Sequence, residues 1–172
     1  MRAAQCDDKR RDVRPQWASC WGALMTDTAF PAIAAAIKTT LEGQGFTRLV
    51  GAEVVAVEPG AVVMALNRRD DLLQQNGLFH GGVIAYLIDN TATAVAATVI
   101  ARAERSVLTA EYKLNFIAPS KGDRLTCRAE IVKPGRMLTV VEARVTCRTD
   151  GEEKLVAVAL ATIAHLDAGK PG

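Results

Sequence analysis

The chain has 172 residues, 49% of them apolar and 5% aromatic, with a net charge of +2. That suits one domain of ordinary size with a sizeable core. Residues 1–24 hold five basic and three acidic side chains, so the remainder is neutral and no case arises for nucleic-acid binding. No charge-free apolar run reaches membrane-spanning length, so no membrane association is expected.

Residues 1–26 read as an extension without fixed structure. Asp7, Asp8, Lys9, Arg10, Arg11, Asp12 and Arg14 occur with no apolar period, and no signal-peptide core is present. Trp17 and Trp21 are unusual in such a stretch, and Met25 is the expected physiological start. The domain proper is expected over 27–166, with a short polar tail over 167–172.

The first helix is expected over 28–43, capped by Asp27 or Thr28 and stopped by Gly43 and Gly45. Phe30, Ile33, Ala34, Ile37 and Leu41 form its apolar stripe. Val- and Ala-rich runs over 47–58 and 61–67 predict a hairpin turning at Glu58-Pro59-Gly60. Arg68 to Asp71 reads as a solvated loop.

The polar stretch Gln74-Gln75-Asn76-Gly77 then leads into Leu78-Phe79-His80-Gly81-Gly82 and a helix apolar on nearly all sides, expected to run to about Ala101. Such a helix reads as buried. Asp89 interrupts it, and a carboxylate there needs partners or a task. Its neighbours at helical spacing, Gly82, Ala85, Tyr86, Ala92, Thr93 and Ala96, are mostly small and leave room for a ligand. Gly81 and Gly82 expose helix-start N–H groups, where the dipole favours negative charge. A carboxylate and an anion-friendly helix start together suit attack of water on a polarised carbonyl.

Four strands are expected to follow. In 106–117, Leu108, Ala110, Tyr112, Leu114 and Phe116 alternate with Thr109, Glu111, Lys113 and Asn115. In 123–132 and 137–148 the inward sets are Leu125, Cys127, Ala129, Ile131 and Val141, Ala143, Val145, Cys147. Asp150-Gly151 is a tight turn into a final strand over 154–165, apolar on both faces and so expected to be central. A hairpin turning at Pro134-Gly135 does not place Cys127 opposite Cys147. With Cys6 and Cys20, these thiols are expected to be free, in a reducing cytoplasm, and no metal site is expected. The predicted fold class is α+β, an antiparallel sheet wrapped around one long helix. One sheet covers only part of that helix, so a dimer is expected.

Asn76-Gly77-Leu78-Phe79-His80-Gly81-Gly82, Leu87-Ile88-Asp89 and Glu111-Tyr112-Lys113-Leu114-Asn115-Phe116-Ile117-Ala118-Pro119 resemble the hotdog-fold acyl-CoA thioesterases of the phenylacetate-pathway type, over residues 28–166. The resemblance implies hydrolysis of an acyl-CoA, medium-chain or aryl, without a cofactor. It also implies a homodimer or homotetramer whose sites lie between subunits, the acidic residue from one and the His-Gly-Gly loop from the other.

On that reading Asp89 is general base or nucleophile, where the bland alternative is a structural carboxylate. The Gly81 N–H is the oxyanion donor, where the alternative is a tight turn. His80 orients the loop and hydrogen-bonds near the thioester, where the alternative is packing. Asn76 binds the water or the carbonyl, unless it is only the Asn of an Asn-Gly turn. The resemblance gives Thr109 a role in holding the water; an ordinary strand threonine is the alternative. Gly82 and Thr93 are expected at the substrate. Lys133 and Arg136, with Lys121 or Arg68, are candidates for the CoA phosphates, the alternative being a solvated turn. His165 reads as structural.

Two other classes compete. Acyl-thioester hydratases of the same fold usually show Asp then His at short spacing, or His-Phe-Pro-Gly with a Glu; here His80 precedes Asp89. A non-enzymatic acyl-CoA-binding module needs the pocket but not the carboxylate. No GxSxG is present, and no Ser or Cys adjoins a His.

Overall fold

A computed structural model describes residues 30–100 and 105–167. The N-terminal extension, Met25, Trp17, Trp21, the Asp27/Thr28 cap, Cys6, Cys20, Ala101 and residues 168–172 lie outside the described residues. Helix α1 spans Phe30–Gly43 and buries Ile37 and Leu41. A second, unanticipated helix, α2, follows at Gly45–Val50. The first strand, β1, therefore begins at Ala52, not at 47, and Gly45 starts a helix rather than only ending one. Gly51 ends α2 in the left-handed region (φ 70°), the usual glycine C-cap.

Strands β1 (Ala52–Glu58) and β2 (Ala61–Asn67) form the expected hairpin. Its two-residue turn carries Pro59 and then Gly60 at φ 77°, as a type II turn demands. The central helix, α3, spans Gly81–Ala97. It stops short of the expected end, and its C-cap Thr98 bonds the Val95 carbonyl through its hydroxyl at 2.6 Å. The same hydroxyl accepts the buried Gly60 N–H at 3.0 Å, tying the helix end to the β1–β2 turn. Strands β3 (Arg105–Phe116), β4 (Arg124–Lys133), β5 (Leu138–Thr149) and β6 (Glu152–Asp167) complete the chain. Asp150 (φ 52°) and Gly151 (φ 84°) make the tight β5–β6 turn, both residues at positive φ.

The six strands form one antiparallel sheet in the order β1-β2-β4-β5-β6-β3. β6 is interior, paired on both sides, as its two apolar faces predict. Helix α3 lies against β2 through β6. The sheet can wrap it closely because one transverse row consists of Val62, Ala129, Ala143, Ala159 and Leu114, with three adjacent alanines beneath the helix. Flanking rows carry larger side chains, such as Ile131, Val141 and, on the other side, Met64, Cys127 and Val145; all five are buried. In β4–β5, Cys127 faces Val145 and Cys147 faces Leu125, so both thiols are free and buried.

The even alternation expected of β3 does not hold. The register to β6 runs Thr109 to Ile163 and then Glu111 to Thr162, leaving Ala110 as a bulge. One extra residue reverses every side chain beyond it. Tyr112 and Leu114 face inward as expected, but upstream of the bulge the inward residues are Val107 and Thr109, while Leu108 is 58% exposed.

Candidate active site

His80 is the N-cap of α3. Its backbone is extended and its Nδ1 accepts the Gly82 N–H at 2.9 Å. A ring nitrogen that accepts carries no proton, so the neutral ring has its N–H at Nε2, free to donate outward. The loop before it is pinned on two sides. The Phe79 N–H donates to the Ser120 carbonyl at 3.1 Å, and the His80 N–H donates to the Leu72 carbonyl at 2.9 Å. The Gly81 N–H has no hydrogen-bond partner among the described residues, as the first-turn position of a helix dictates.

Each glycine has its own steric reason. A Cβ at Gly81 would stand 3.2 Å from the Phe116 ring, and one at Gly82 would stand 3.0 Å from His80 Nδ1. Phe116 thus packs on the helix start although 57% of it is exposed. The strand alternation counted Phe116 as inward, which its exposure contradicts, although the motif that carries the family resemblance already included it.

Asp89 is half-buried, not enclosed. Ala85, Tyr86, Asp89, Asn90, Thr93 and Ala97 make one strip of α3 that the sheet leaves half-open, while Ala92 and Ala96 are fully buried against the sheet and cannot line a ligand pocket. The Asp89 carboxylate accepts a 2.5 Å hydrogen bond from Thr109 Oγ1. The β3 bulge makes this contact: without it Thr109 would point to the outer face with Glu111. Thr93 lies on the same strip, with its hydroxyl bonded to the Asp89 and Asn90 carbonyls at 3.1 and 3.0 Å.

Asn76 sits exposed in a turn, its N–H donating to Gln74 Oε1 at 3.0 Å, with Gly77 at φ 73°. This is the Asn-Gly turn geometry, and no hydrogen bond joins Asn76 to His80 or Asp89 among the described residues. The basic candidates do not gather. Lys133 is exposed at the end of β4, with Arg136 just beyond it, whereas Arg68 bonds the Gly122 carbonyl (3.2 Å) before β4 begins. Ten strand residues separate those ends, roughly 30 Å, so one protomer cannot combine them into a single phosphate patch. His165 is buried with its Nε2 2.9 Å from Thr139 Oγ1, a structural role as expected. Burial pushes the Cys127 thiol up to about 12 and also raises that of Cys147, so neither is primed as a nucleophile. No group of three or more His, Cys, Asp or Glu among the described residues is placed to hold a metal ion. No helix among them is long and apolar enough to cross a membrane.

A long helix wrapped by an antiparallel sheet, with a His-Gly-Gly start and one carboxylate on its open strip, defines the hotdog class of thioester-processing proteins. Comparison with known proteins gives the family. Residues 76–154 match the family model described as Thioesterase superfamily. A 1,4-dihydroxy-2-naphthoyl-CoA hydrolase from Listeria monocytogenes is 32% identical over 70% of this chain and 94% of the relative. A thioesterase family protein from Silicibacter pomeroyi superposes with a TM-score of 0.75 at 34% identity, covering 77% of this chain and 96% of the other. The E. coli PaaI protein from the phenylacetic acid degradation operon shares the fold, with a TM-score of 0.71 at 16% identity over 81% of this chain and 97% of that one. The chain belongs to the thioesterase superfamily and is a thioester hydrolase.

Proposed function

We propose that the protein hydrolyses acyl-CoA thioesters with Asp89 as general base and the Gly81 N–H as oxyanion donor. Water attacks the thioester carbonyl carbon and passes a proton to Asp89. The C–S bond breaks, and CoA leaves as a thiolate that takes up that proton. The observation that carries the reading is the Asp89 carboxylate on the open strip of α3, oriented by Thr109. A base needs a fixed lone pair and access to water, and this arrangement supplies both. The unpartnered Gly81 amide supports the second role, since a donor already aimed costs nothing to reorganise.

Gly81 and Asp89 of one chain are separated by eight residues of helix, roughly 12 Å. They cannot act on the same carbonyl. The reading therefore places the two groups on different subunits of a homodimer, or of a homotetramer built from such dimers, with a site at the seam. Lys133 and Arg136 of one subunit and Lys121 of the other are then separate candidates for the CoA phosphates. The Listeria relative's name favours an aryl acyl group, while the fold alone accommodates a medium chain equally. A cytoplasmic setting fits the free thiols.

Turnover of a panel of acyl-CoAs, followed by release of free thiol, tests the assignment. Asp89→Asn keeps the shape and the Thr109 contact but loses the basic lone pair. Its kcat falls about 10²- to 10⁴-fold while KM stays near that of the unsubstituted protein. Unchanged turnover in this variant removes Asp89 as the base.

A further inference from the structure

A cavity of about 460 Å³ opens beside the start of α3, lined by Phe46, Leu49, Leu72, Leu73, His80 and Val83 among others. That volume is ordinary for a small-molecule site. One wall is α2, which turns Phe46 and Leu49 outward, 55% and 66% exposed. Two large apolar side chains left in water beside a concavity are unfavourable unless something covers them.

The wall is also held fast. Thr47, on the opposite side of α2, is 1% exposed, and its hydroxyl is 2.7 Å from the Tyr86 hydroxyl. Asn90 Nδ2 donates to the same Tyr86 oxygen at 2.8 Å and to Gln44 Oε1 at 3.0 Å. Arg69 donates to the Leu49 carbonyl at 2.7 Å and binds both Asp71 carboxylate oxygens at 3.1 Å. The Phe46 and Tyr86 rings meet edge to face, with centroids 4.8 Å apart. Tyr86 and Asn90 belong to the strip of α3 that carries Asp89. A six-residue helix too short to be stable by itself is thus clasped at its inner face and at its C-terminus, so Phe46 and Leu49 cannot fold away.

We propose that α2 is the acyl-selecting wall of the site: Phe46 and Leu49 pack against an uncharged, apolar acyl group that enters past His80 and Val83, and the Thr47–Tyr86–Asn90 clasp sets their position. This rests on the thioesterase reading above. Among the described residues the guanidinium lining this cavity is that of Arg69, already matched by Asp71, so an acyl group ending in a carboxylate gains no counter-charge from it. Phe46 and Leu49 are specificity residues, and Tyr86 is a positioning residue.

The test uses binding, so that it stands apart from catalysis. Dissociation constants are measured by calorimetry for S-octyl-CoA, a thioether that cannot be hydrolysed, and for CoA alone. The proteins are the unsubstituted chain, Phe46→Ala, Phe46→Leu, Leu49→Ala, Tyr86→Phe and, as a control on the outer sheet face, Leu160→Ala. The preference for S-octyl-CoA over CoA is expected to fall roughly tenfold in Phe46→Ala and in Leu49→Ala. It falls less in Phe46→Leu and Tyr86→Phe, and it is unchanged in Leu160→Ala. In acyl-CoA turnover, Tyr86→Phe raises KM for octanoyl-CoA without lowering kcat. An undiminished preference in both alanine variants overturns the proposal even if octanoyl-CoA is hydrolysed normally. A diminished preference with no hydrolysis of any acyl-CoA upholds the wall and overturns the catalytic reading instead.

Discussion

His80 has two separable jobs on this geometry. Its Nδ1 caps α3 through the Gly82 amide, and its Nε2–H, left free by that bond, is proposed to donate at the thioester. An N-cap is worth about 1 kcal/mol, or about 2–4 °C in melting temperature for a chain of this size. His80→Ala therefore melts lower by that amount. Asn is itself a good cap, so His80→Asn recovers the melting temperature. Activity is expected to stay low in both variants, because each lacks the imidazole Nε2 donor. Calorimetric melts paired with thiol-release kinetics distinguish the roles: full activity in His80→Asn makes His80 a cap and nothing more. Thr109 shows the same economy of means, since one hydroxyl on one strand sets which way the Asp89 carboxylate points.

At the level of elements, the site depends on where α3 begins and ends. Its start is pinned by backbone bonds to Leu72 and to the segment at Ser120. Its end is held by Thr98, whose hydroxyl satisfies the buried Gly60 amide. Thr98→Val keeps the shape and removes the acceptor, leaving a buried N–H unpaired. The expected loss is about 1–3 kcal/mol, read as a lower urea midpoint with an unchanged slope. Turnover without denaturant stays as before, because Thr98 lies at the far end of α3 from His80. The β3 bulge is the other decisive element-level feature. It lets a single strand present Thr109 and, at the next inward position, Tyr112 to the same helix.

For the whole molecule, the open strip of α3 and the separation of Gly81 from Asp89 along one helix make the protomer incomplete on the proposed mechanism. Light scattering is expected to give at least twice the chain mass. Mixing supplies a sharper measurement. Asp89→Asn and His80→Ala are each expected to be nearly inactive alone. Co-refolded, they form heterodimers in which one seam has both groups intact, and part of the activity returns. No recovery, with heterodimers shown to form, refutes a site shared between subunits.

Much of this architecture was legible from residue order alone. Periodicities of two and of 3.6, the Pro59-Gly60 and Asp150-Gly151 turns, and the apolar run after His80 report local backbone preference, which neighbouring residues largely settle. The helix α2 escaped notice because its residues, Gly45 to Val50, have weak helical tendency and are held by distant partners: Tyr86, Asn90 and Arg69. The facing of Thr109 was hidden because a bulge is a property of the pairing between β3 and β6, not of β3 itself. The dispersal of the basic candidates, by contrast, was implied by the strand expected over 123–132, which runs between Lys121 and the pair Lys133 and Arg136. The family, the helix start and the presence of one carboxylate, Asp89, inside the apolar helix were thus written in the chain. Which way that carboxylate faces, what holds it and what lies beside it were decided only by long-range packing.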